Sequence, residues 1–137
     1  MLPSGLPEVV ADDEPLARFL MSSSQFNALM VKPAAYMPSA KDGNTSVFRH
    51  GAEPRESLLE IAGTHVVGER TLHGVAICTA QQVRASELNV VAQEPPPRHA
   101  NITGWPVVAN DPEQTKAQQK ERALLIAQHA VLVRVPR

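Results

Sequence analysis

Arg98, His99 and Asn101 stand close together, directly after the prolines Pro95 to Pro97 and just before the only tryptophan, Trp105. An arginine brings a permanent charge and a fork of donors suited to carboxylate or phosphate. A histidine exchanges protons near neutral pH, and an asparagine both donates and accepts. Together they have the makings of an anion site or of acid–base chemistry. A second pair, Arg49 and His50, closes the stretch TSVFRH. If the two segments converge, paired histidines as base and acid, with arginines on the phosphate, would suit phosphodiester cleavage. The structural alternative is that Arg98 and Asn101 satisfy backbone groups left unpaired by the prolines, while His99 packs as a ring beside Trp105. The residues leave both alternatives open.

Other chemistry has less to stand on. The five histidines, at 50, 65, 73, 99 and 129, form no HxH or HxxxH pair, so no metal is expected. Cys78 is the only cysteine; it excludes an intrachain disulfide and, inside the apolar run GVAIC, is expected to be a buried, inert thiol. Ser22 to Ser24 lack the glycines of a nucleophile elbow. Neither a Walker A loop nor a GxGxxG turn is present, so no cofactor is expected. Lys and Arg number 13 against 14 Asp and Glu, a net charge of −1. That balance argues against a dedicated nucleic-acid binder, although a local basic face is compatible with it. No apolar run approaches the ~20 residues of a membrane span, and the acidic N-terminal region has no basic-then-apolar leader pattern. A cytoplasmic protein with no membrane contact is expected.

These residues must be positioned by a chain of 137 residues, the size of one domain. Residues 1–15, rich in proline and acid, read as a flexible arm, and residues 16–137 as a single α+β domain. Ala17 to Met21 reads as a strand. Leu29 to Met37, interrupted by Pro33, reads as an edge strand or an irregular crossing. The Asp42-Gly43 turn is expected to join it in a hairpin to a strand over Thr45 to His50, with Val47 and Arg49 on one face and Phe48 on the other. A helix is expected from Pro54 to Arg70, weakened at Gly63 and stopped by Gly68. A strand then runs to Cys78, and a short helix follows, opened by a capping box between Thr79 and Gln82. The strand Leu88 to Ala92 is ended by the prolines, which hold Arg98, His99 and Asn101 on a stiff, extended segment. The last helix is capped by Asp111, with Pro112 in its first turn and Gln114 closing a box, and ends near His129. Its Gln- and Lys-rich face reads as solvated. Ala130 to Val135, apolar and β-branched, reads as a strand with a place within a sheet rather than outside it. The total is a mixed, mostly antiparallel sheet of about five short strands with two to three helices packed on it. The helix-to-strand sequences leave room for parallel pairing.

The blocks ARFLMSSSQF, TSVFRH and PPPRHANITGWP together resemble small uncharacterised bacterial proteins of the kind carried on gene cassettes, mobile elements and defence islands. The shared pattern falls on Arg18, Phe19, Ser22, Ser23 and Phe26, then Lys32, Ala35 and Pro38, then Ser46 to Arg49, and finally Pro96 to Pro106. The resemblance spans most of the chain after the arm. It implies a bacterial accessory protein and carries no activity with it.

The expected function is a non-enzymatic binding or interaction module. Self-association or a protein partner is expected through an exposed edge strand or the proline–tryptophan block, making Arg98, His99, Asn101, Trp105, Arg49 and His50 the candidate binding residues. The alternative is a small phosphodiester- or nucleotide-acting enzyme with an Arg/His site.

Overall fold

Residues 2–50 and 55–135 are described by a computed structural model. In chain order the elements are β1 (Pro15–Leu20), β2 (Thr45–Arg49), α1 (Arg55–Ile61), β3 (Gly74–Thr79), α2 (Ala80–Ala85), β4 (Asn89–Ala92), β5 (His99–Thr103), α3 (Pro112–His129) and β6 (Val131–Arg134). Short 3₁₀ turns lie at Ser23–Gln25 and Pro33–Ala35. The strands form one sheet in the order β4-β5-β2-β1-β3-β6, and every pairing is antiparallel. The α+β class is as expected, with six strands rather than five. The parallel pairing left open for the helix-to-strand sequences does not occur, because β3 and β6 pair antiparallel with each other.

Alternation along the strands builds two cores. Leu16, Leu20, Val47, Ala76, Cys78, Val90, Ala100 and Ile102 face one side, where α2 contributes Val83 and α3 contributes Ala123, Ile126 and Ala127. Ala17, Phe19, Phe48 and Val75 face the other, under Leu58 of α1. The helices therefore cover both faces of the sheet. Val47 and Phe48 separate between the two cores as the period of two requires.

Local signals account for the helices. Thr79 Oγ1 accepts the Gln82 N–H at 3.2 Å and Gln82 Oε1 accepts the Thr79 N–H at 3.0 Å, the reciprocal box expected there. Asp111 caps α3 by accepting the Gln114 N–H at 2.9 Å. The expected first-turn proline of the 55–66 helix, Pro54, lies outside the described residues. After Ile61 that helix continues as a π segment, Ala62–Val66, in which the Val67 N–H reaches back to Ala62 O. Gly63, a poor helix former, lies within the widened stretch.

Two expectations are corrected. The Asp42-Gly43 turn forms, with Gly43 at φ +74° and its N–H on Ser39 O. It joins no hairpin, however, because β2 pairs with β1 and β5, and the 29–37 segment contributes only an isolated bridge between Val31 and Phe26. The segment after the prolines is not an extended loop: His99–Thr103 is β5, an interior strand between β4 and β2. The prolines occupy the connection of a β4–β5 hairpin, closed by Gln93 N–H on His99 O at 2.9 Å. β6 joins the sheet as expected and forms its edge beside β3. Its apolar character comes from packing on both faces, Leu132 against the α3 side and Val135 against the α1 side.

The segment before β1, expected as a flexible arm, is tied along the domain. Val10 is buried, Gln81 N–H donates to Asp12 O, and Arg84 pairs with Asp12 at 2.5 Å.

Candidate functional site

The proline–tryptophan block and the end of β2 meet through their backbones. Arg49 N–H donates to Arg98 O at 2.8 Å. The Arg98 guanidinium returns to Arg49 O at 2.6 Å and also donates to His50 O. Arg98 itself has φ +67°, in the left-handed region uncommon for residues with a side chain. Its N–H donates to Glu94 Oε2 at 3.2 Å, which ties the hairpin connection to itself. Burial of Glu94 acts to raise its pKa, but hydrogen bonds from Ser4 and from the Arg98 N–H outweigh it and hold the carboxyl below its ordinary value.

Arg49 is fully buried at the end of β2, on the Val47 side of the strand. Its guanidinium grips both carboxylate oxygens of Glu14, at 2.6 and 2.9 Å, and donates to Pro7 O at 2.6 Å. The bidentate geometry suits a planar cation on a carboxylate. It fastens the chain before β1 across the end of the sheet.

His99 lies on the opposite side, edge-on to Phe48 with ring centroids 5.3 Å apart. Nδ1 is 2.7 Å from Gln93 O, and because a carbonyl only accepts, Nδ1 carries the proton. Nε2 is 2.6 Å from Ser46 Oγ, which donates to it in the neutral ring. Asn101, also buried, donates through Nδ2 to Gln93 Oε1. Trp105 is 8% exposed and its Nε1–H donates to Ile102 O at 3.1 Å. The reversal that folds the ring over β5 passes through Gly104 at φ +85°, a conformation a side chain would resist.

Arg49, His50, Arg98, His99 and Asn101 thus lie together along β2 and β5, while Trp105 packs into the core, and the six do not converge on one site. Arg49 and His99 act on opposite faces of β2, Arg98 addresses backbone carbonyls, and both His99 nitrogens are engaged within the protein. His50 Nδ1 is buried without a hydrogen-bond partner among the described residues. A pocket of about 320 Å³ beside the prolines is lined by Pro3, Ser4, Glu94, Pro95 and Pro97, and by none of the six. Among the described residues, no three His, Cys, Asp or Glu side chains are grouped to hold a metal ion, and no helix is long and apolar enough to cross a membrane.

Several partners in this network escaped sequence reasoning. Glu14 was assigned to the arm, and Ser46 and Gln93 carry no motif. Strand alternation does place Ser46 on the Phe48 face, and that was the one signal available. Arg18 fills a comparable role where β1 and β2 diverge beyond their two paired positions, donating to Ala35 O at 2.8 Å and Ser46 O at 2.9 Å. The Ser22 to Ser24 run is a turn cap: Ser22 Oγ accepts the Ser24 N–H at 3.3 Å and Gln25 Oε1 accepts the Ser22 N–H at 3.2 Å. Cys78 is buried beside Tyr36, and burial pushes its thiol up to about 11.

The two sheet edges differ in how they are guarded. On β4, the Gln93 bond to His99 sets the ladder phase, so Val90 and Ala92 turn their backbone groups outward. The Val90 N–H is nevertheless taken by Asn89 Oδ1 at 2.8 Å. On β6, Val135 N–H donates to His73 O at 3.1 Å, so Val131 and Val133 address β3, while Leu132 and Arg134 turn N–H and C=O away from the sheet. β6 approaches β3 closely: a Cβ on Gly74 would lie 2.8 Å from Val133 O. The one charge on this edge among the described residues, Arg134, folds back with its guanidinium 4.9 Å from the Phe26 ring centroid. Val131 is 61% exposed.

Compared with known proteins, the chain matches no family model, and no curated protein or solved structure is significantly similar to it.

Proposed function

We propose that this protein is a non-enzymatic interaction module that binds another polypeptide by adding it to the sheet along β6. The unguarded outer edge of β6 is the observation that carries this reading. Two residues offer their backbone groups outward there, an apolar Val131 stands beside them, and the one charge among the described residues of β6 is folded back onto Phe26. Folded proteins usually blunt such edges with charges, prolines or bulges, because an uncovered strand is a template for pairing. The contrast with β4, where a side chain occupies an outward N–H, supports the same assignment. The proline–tryptophan block contributes as a brace that holds β5, β2 and the chain before β1 together. An Arg/His enzyme on phosphodiesters or nucleotides gains no support from this geometry, since the His99 ring and both guanidinium groups would first have to leave their present partners. On the resemblance of its sequence blocks, we assign the module to a bacterial accessory element acting in the cytoplasm.

Val131→Lys places a charge on the open edge without touching the β3 ladder. It is expected to keep the folded stability within about 0.5 kcal/mol, as exposed substitutions do, and to abolish capture of a polypeptide partner that the parent protein retains on an affinity support. Equal capture by parent and variant, or capture by neither, contradicts an edge-binding function.

A further inference from the structure

We infer that the polypeptide received by this edge is β6 of a second copy, paired antiparallel about a two-fold axis through Val133. The inference rests on the edge-binding reading above and adds the partner and the register. Its starting point is the hydrogen-bond phase. Because Leu132 and Arg134 alone turn their backbone groups outward along the strand, a second strand must offer the same spacing in reverse. The edge meets that requirement itself. With Val133 opposite Val133 of the second copy, Leu132 of each chain faces Arg134 of the other, and the outward N–H and C=O groups of those residues pair across the axis.

The side chains agree with the phase. Residues 131 to 135 read Val-Leu-Val-Arg-Val. In this register Val131 meets Val135, Val133 meets Val133, and the Leu132 side chain meets the aliphatic stem of Arg134. No like charges stand directly opposite one another, a juxtaposition that destabilises strand pairs. Val131, Val133 and Val135 share the face of the sheet on which Phe19, Val75 and Leu58 form a core, so the pairing carries that apolar layer across the axis. Shifting the register by one residue breaks this agreement, since outward-facing backbone groups then meet inward-facing ones. Two six-stranded sheets become one continuous sheet. This is an isologous arrangement, in which each surface is its own partner.

Engineered cysteines test both partner and register. In a position of this kind, opposed across the axis without mutual hydrogen bonds, Cα atoms lie ~4.5 Å apart, within disulfide range. Val133→Cys is therefore expected to cross-link to itself under mild oxidation, with a doubling of mass on a denaturing non-reducing gel, while parent and variant both sediment as dimers. Val131→Cys alone is expected to stay uncross-linked, because its two copies sit four residues apart along the strand, roughly 13 Å. A mixture of Val131→Cys and Val135→Cys is expected to cross-link between the two variants, which keeps the test valid should Val133→Cys fail to fold. The parent protein, whose one thiol is buried Cys78, serves as the uncross-linked control. A parent that sediments as a dimer while neither cysteine arm cross-links overturns the register. A monomeric parent overturns self-pairing; if it still captures a foreign polypeptide that Val131→Lys does not, the edge-binding function survives and only the identity of the partner is wrong.

Discussion

Arg49→Ala is expected to lower folding stability by about 3–5 kcal/mol, the range for breaking a buried ion pair by removing one member. The guanidinium is wholly buried, and it satisfies both oxygens of Glu14 and the Pro7 carbonyl. Alanine leaves the Glu14 carboxylate, 13% exposed, without its cation. It also opens a space the size of the lost side chain and frees the segment before β1 from the end of β2. The charge contribution can be separated from the volume. Arg49→Met fills much of the space but still strands Glu14, whereas Arg49→Met with Glu14→Gln removes both charges and is expected to recover most of the loss. Equilibrium urea unfolding followed by circular dichroism measures each variant. A loss below about 1 kcal/mol for Arg49→Ala, the level of an exposed pair, contradicts a buried clasp.

Trp105→Ala is expected to cost about 3–5 kcal/mol, as truncation of large buried aromatics does. The ring belongs to the larger core, and its Nε1–H donates to Ile102 O on the interior strand β5. Two losses therefore coincide, the packing and one donor to a buried carbonyl. Trp105→Phe keeps most of the packing and forfeits the hydrogen bond, so it is expected to cost only about 1 kcal/mol. Since Trp105 is the only tryptophan, unfolding has to be followed by far-ultraviolet circular dichroism instead of fluorescence. Near-equal stabilities of Trp105→Ala and the parent contradict a core role and return the ring to the list of contact residues.

What was legible in the sequence was what short-range chemistry determines. Asp111 before Pro112, and Thr79 three residues before Gln82, are caps whose donors and acceptors lie within one turn. The alternation of Val47 and Phe48 predicted their separation into two cores, because a strand has only two faces. Pairing partners were not legible. The Asp42-Gly43 turn satisfies its own local bonds whichever strands flank it, and β2 finds its neighbours in β1 and β5, the latter more than fifty residues away. β5 itself was hidden because HANIT is polar and follows prolines. Its polar residues are stabilised by Ser46 and Gln93, partners visible only after folding. β6 was legible as a strand of the sheet but not as its edge: apolarity reports burial of the two faces of a strand, while an edge position concerns its hydrogen bonds. Of the candidate residues, Arg49 and Arg98 do meet. Sequence types alone could not tell that their donors serve carbonyls and a carboxylate of the same chain.

The central claim is that the Arg98–His99 block braces the sheet, leaving the β6 edge as the working surface. The urea unfolding free energy of Arg98→Ala/His99→Ala beside the parent tests it most directly. A loss of at least about 3 kcal/mol is expected, since the carbonyls of Arg49 and His50 lose a charged donor and Ser46 and Gln93 lose the imidazole. A change within about 0.5 kcal/mol, the level of exposed substitutions, would contradict it and make the block a surface held in place for a ligand.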